Sequence, residues 1–118
     1  MPCVNVPQIV SQTDLTGKTA AISETTLYSP SGSDSLNYRL SVYMNNSSAA
    51  TGNAKMNLNY TDDFGAVTQS VVVGPSAVFM AQVVFVLHVA SSTSITFDVT
   101  IPGGGTVSFD LHMTLEEL

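Results

Sequence analysis

Charge is scarce in this chain. Only 10% of its 118 residues are Asp, Glu, Lys or Arg, against about 25% in typical soluble domains. Three residues are basic (Lys18, Arg39 and Lys55) against nine acids, for a net charge of −6. A nucleic-acid binder needs a cationic footprint to neutralise phosphates, and three scattered cations do not make one. The same shortage excludes attraction to an anionic membrane surface. Cys3 is the single cysteine, so no disulfide within the chain is possible; in the N-terminal tail it reads as incidental, with an interchain bridge as the sharper alternative. Apolar runs are short: Val83–Leu87 stops at five residues, far below the roughly 20 of a membrane helix. The first residues lack a basic stretch and an apolar stretch after it, so no secretory signal is expected. Helical spacing is missing as well, apart from one candidate turn at Pro75–Ala81.

What the chain has is alternation. Val107, Phe109, Leu111, Met113 and Leu115 fall on one side of an extended segment, and Ser108, Asp110, His112, Thr114 and Glu116 on the other. A side-chain period of two makes this a half-buried strand. Similar segments run over Thr19–Tyr28, Leu36–Met44, Ala54–Thr61, Ala66–Val73, Met80–Val89 and Thr93–Ile101. Turn residues separate them: Ser29-Pro30-Ser31-Gly32, Asn45-Asn46-Ser47-Ser48, Asp62-Asp63-Phe64-Gly65, Gly74-Pro75 and Pro102-Gly103-Gly104-Gly105. Regular short strands with such punctuation predict an all-β antiparallel sandwich or barrel, and the sandwich is the reading taken. Residues 1–14, with Pro2 and Pro7 and no clean period, read as an extended N-terminal arm; residues 15–118 read as one domain. The expectation is about eight strands, the eighth forming where the arm pairs with a sheet edge.

Met80–Val89 departs from the pattern. Val83, Phe85, Leu87 and Val89 take one face, yet Val84 and Val86 occupy the other. A strand apolar on both faces calls for cover on both. The cover is either a packed loop or arm, or a second subunit; the low charge elsewhere favours the subunit. Val84, Val86 and His88 are the candidate oligomer-interface residues. Val4, Val6, Ile9 and Val10 are the candidate arm contacts.

Catalytic chemistry is not legible. His88 and His112 both face outward and are neighbours only if their strands pair; zinc needs three or four ligands. Asp62-Asp63 lacks the spacing of a calcium loop and fits turn chemistry. Asp98 and Asp110 face outward on the last two strands, where a close approach would suit acid–base work only if burial separated their pKa values. No serine sits in a Gly-x-Ser-x-Gly elbow, and Gly103-Gly104-Gly105 lacks the Lys of a phosphate loop. Asn45, Asn46 and Asn59 sit in Asn-x-Ser/Thr patterns, which carry little weight without export. Outward Tyr43 could stack on a sugar with Asn57 and Asn59 as hydrogen-bonding partners. No catalytic, cofactor or metal site is expected.

Several segments, in order, carry a resemblance: Thr25-Thr26-Leu27-Tyr28, Tyr38-Arg39-Leu40-Ser41-Val42-Tyr43, Leu58-Asn59-Tyr60-Thr61-Asp62, Ser94-Ile95-Thr96-Phe97, and Leu111-His112-Met113-Thr114-Leu115-Glu116-Glu117-Leu118. This order resembles a group of short β-proteins from tailed-phage virions and bacterial genomes. The resemblance implies a jelly-roll-like sandwich, similar in outline to C1q- and tumour-necrosis-factor-like domains, assembled as a homotrimer. It implies a structural role on a virion, as a capsid decoration or cementing subunit bound to the major capsid protein or another virion protein. A fibre-tip recognition module for glycans or cell surfaces is the alternative it leaves open.

Overall fold

The computed structural model describes residues 7–118 and is built from eight strands with no helix. In chain order they are β1 (Gln8–Lys18), β2 (Ile22–Tyr28), β3 (Leu36–Asn46), β4 (Ala54–Asp62), β5 (Gly65–Val73), β6 (Met80–Val89), β7 (Ile95–Thr100) and β8 (Phe109–Glu117). One sheet, with strand order β1-β8-β3-β6, packs on a second with order β2-β7-β4-β5, and every strand pair is antiparallel. Chain neighbours mostly alternate between the two sheets, which is the jelly-roll arrangement.

The period-two segments set the register, because a one-residue slip would turn each apolar row to water. Leu40, Val42 and Met44 of β3 lie opposite Leu115, Met113 and Leu111 of β8, and Tyr38 and Phe109 extend the two rows, all of them buried. Met56 and Leu58 of β4, with Phe97 and Val99 of β7, close the core from the opposite sheet. Apart from the tyrosines Tyr38 and Tyr60, Asn46 is the sole buried polar side chain among the described residues.

The end of the arm pairs with β8 and forms the expected eighth strand at a sheet edge, running from Gln8 to Lys18 and so past the boundary expected at residue 14. Register shifts at Ile9/Ser11 and Leu15/Lys18 break its alternation and hide it from a period-two reading. Two features differ from the sequence expectation. Pro75–Ala81, the candidate helical turn, is not helical: Ala77 N–H donates to Gly74 O at 3.0 Å in a β-type turn, Val78 makes a single bridge to Val73, and Met80 and Ala81 open β6. Finally, β6 and β8 do not pair, because β3 lies between them.

Glycine is required where the β3–β4 and β7–β8 connections cross. A side chain on Gly52 would lie 2.6 Å from the Gly104 carbonyl oxygen, and one on Gly105, at φ 96°, would lie 2.9 Å from Gly52 Cα. The two connections touch backbone to backbone.

Candidate interaction surface

The outer face of the β1-β8-β3-β6 sheet carries rows of side chains that run across all four strands. One row is Ile9, Glu116, Arg39 and Val86. The next is Gln12, Thr114, Ser41 and Val84, and a third is Asp14, His112, Tyr43 and Gln82. Alternation on each strand places them, since their sequence neighbours point into the core.

Val84 and Val86 are 58% and 64% exposed, at the β6 edge of this face. The adjoining polar side chains are tied to one another. Arg39 donates to both oxygens of Glu116 at 3.1–3.2 Å. His112 Nδ1 lies 2.8 Å from Asp14 Oδ1, and its ring sits 5.9 Å from that of Tyr43. Small side chains at Ser41 and Thr114, ringed by Tyr43, Gln82, Val84 and His112, leave a shallow depression of about 380 Å³.

His88, at the end of β6, joins elements rather than standing free. Its Nε2 is 2.8 Å from Asp63 Oδ2 and its Nδ1 is 2.7 Å from Asn37 Oδ1. Ser35 also donates to Asp63, at 2.9 Å. These bonds fasten the β4–β5 turn to the start of β3. They hold the Asp63 carboxyl below its ordinary value, chiefly through the His88 hydrogen bond and then through Ser35. The same turn leaves Phe64 fully exposed. At the opposite end of the same sheet, Gly17 N–H first and Asn45 second bond Asp110 and lower its pKa.

The sequence-selected residues do not gather into one site. His88 pairs across the ladder with Asn37, and His112 with Tyr43 and Asp14, so the two imidazoles are not neighbours. Asp98 on β7 and Asp110 on β8 belong to different sheets, with their outer faces on opposite sides of the sandwich, and do not approach. Tyr43 is likewise separated by the sandwich from Asn57 and Asn59. Those two asparagines both donate to Asp98 at 2.9 Å and accept from Ser70 and Thr68, forming a closed polar ladder on the β2-β7-β4-β5 sheet. Ile9 is exposed and Val10 packs against the core, whereas Val4, Val6 and Cys3 lie outside the described residues. No cluster of three or more His, Cys, Asp or Glu able to hold a metal occurs among the described residues.

The sequence reading missed two features. Asn46 bridges β3 to two loops and to β5, and the parity of β3 announces it, since Asn46 follows Met44 on the inward side. The open mouth between the edges of β1 and β2, about 640 Å³ with Phe97 at its floor, had no signal because β1 was unread. No protein-family model matches this chain, and no curated protein matches it.

Proposed function

We propose that this is a non-enzymatic structural protein that works as a homo-oligomer on a virion, as a capsid decoration or cementing subunit. The observation that carries the reading is the exposed pair Val84 and Val86 on an edge strand, beside outer rows of the same sheet that are mostly hydroxyls, amides and paired charges. Removing such side chains from water contributes ~25 cal/mol per Å² before ordering costs are subtracted. The oligomer face is the area around Val84, Val86 and His88. Exposed Ile9 on β1 offers a separate contact to the major capsid protein or another virion protein. A jelly roll is a frequent choice for viral coats, which supports the virion placement by analogy of fold. The acidic balance and the absence of a basic patch fit a role without nucleic acid or membrane.

The test is mass in solution. Val84→Asp and Val86→Asp should each reduce the light-scattering mass to one chain while the circular dichroism spectrum stays native. Unchanged mass in both variants refutes the interface. The depression beside Tyr43 favours one second reading, a recognition module that takes a sugar there. Binding on a glycan array with no binding to empty capsids would select it.

A further inference from the structure

Edge strands are normally guarded by charge, proline or bulges, because their free N–H and C=O groups invite pairing with another chain. β1 and β2 are guarded in this way: each carries charge (Asp14 and Lys18; Glu24) and two register shifts. β5 is also regular and carries no charge or proline; what sets it apart from β6 is a polar outer face, where Thr68 and Ser70 donate to Asn59 and Asn57. β6 has no such guard. Its ten residues include no Asp, Glu, Lys, Arg, Pro or Gly, and its pairing with β3 runs without a shift.

The strand is also symmetric in composition. Val84 and Val86 flank Phe85; outside them come Val83 and Leu87, then Gln82 and His88, then Ala81 and Val89. An antiparallel second copy aligned on Phe85 therefore sets apolar against apolar and polar against polar at each of these positions. On the outer face, Val84 meets the partner's Val86 and Gln82 meets the partner's His88. No like charges are brought together along the seam, although each copy carries −6 overall.

We infer that β6 pairs antiparallel with β6 of a second copy of this chain, about a two-fold axis at Phe85. The pairing joins two four-stranded sheets into one of twice the width. This inference rests on the self-assembly reading above and names its contact. It replaces the three-fold arrangement that the resemblance implies, because a contact in which one strand meets its own copy closes after two chains.

Cross-linking tests the register in the full chain with Cys3→Ser. Val84→Cys is placed in one preparation and Val86→Cys in another; both sites are exposed, so neither substitution disturbs the core. Across the seam, positions 84 and 86 are directly opposed, within disulfide reach. Position 84 and its own copy are two residues out of register, beyond the limit of about 7 Å between Cα atoms. Mild oxidation of the mixture should give at least about five times more cross-linked dimer than either variant alone. Hydrogen exchange of the 81–89 amides in the wild-type chain should slow as concentration rises. A chain that stays monomeric at every concentration overturns both this pairing and the assembly reading. An oligomer of three chains, or one without selective cross-linking and β6 protection, overturns the pairing alone.

Discussion

Asn46→Ala tests how far one buried amide holds the loops to the sandwich. Asn46 is 5% exposed. Its Nδ2 donates to Gly52 O at 3.1 Å and to Val73 O at 3.5 Å, and its Oδ1 accepts from Ser108 N–H at 3.0 Å. Alanine leaves the Gly52 carbonyl and the Ser108 amide without these partners; the Val73 contact, at the limit of a hydrogen bond, counts for little. At about 1–2 kcal/mol for each of the two groups, the loss is about 3 kcal/mol. Urea unfolding reads it as a lower midpoint at unchanged slope. Asn46→Asp sharpens the reasoning: it keeps an acceptor for Ser108 but turns a second oxygen toward two carbonyls. That variant should be destabilised at neutral pH and should recover as acid protonates it, because the resulting O–H can donate. If Asn46→Ala unfolds within about 0.5 kcal/mol of wild type, the assigned hydrogen bonds carry no weight and the argument fails.

Tyr38 is 1% exposed, its hydroxyl has no hydrogen-bond partner, and burial foremost pushes its pKa up to about 12. Tyr38→Phe should therefore raise stability by roughly 1 kcal/mol, since an unpaired buried hydroxyl costs desolvation with no return; a lower thermal midpoint would contradict it. Asp63 has a folded-state pKa held below 3.8, so its stabilising contribution is complete above the unfolded value and is lost as pH falls through the folded one. Stability measured from pH 5 down to pH 2 should fall less steeply in Asp63→Asn than in wild type; parallel curves would show that the His88 and Ser35 bonds do not couple to folding. The loss of oligomer mass in Val84→Asp and Val86→Asp, and the selective 84–86 cross-link, complete the set.

Where alternation was intact the fold was legible, and where a bulge or a distant contact intervened it was not. β3, β4, β6, β7 and β8 are near matches to their period-two segments because one face of each is core. β1 was hard to read because one register shift puts Val10 out of step with the inward Thr13 and Leu15, and a second breaks the strand after Leu15. The double-sided character of β6 was visible as Val84 and Val86 beside Phe85, and both valines are exposed in the fold. The bonds of His88 to Asp63 and Asn37 were invisible, since they depend on how the β4–β5 turn lands against β3. The same holds for the supposed meetings of His88 with His112 and of Asp98 with Asp110: local pattern gives the face of a strand but not which strand lies beside it.

β8 follows every other strand in chain order, yet it sits between β1 and β3. During vectorial synthesis β1 therefore waits, ladder groups unmatched, for a partner about a hundred residues downstream. Such distant closure slows folding and prolongs the stage at which sticky edges meet strangers. A nascent chain stopped before Phe109 would lose the mortar of an entire layer, so closure of this layer is all-or-nothing at the arrival of β8.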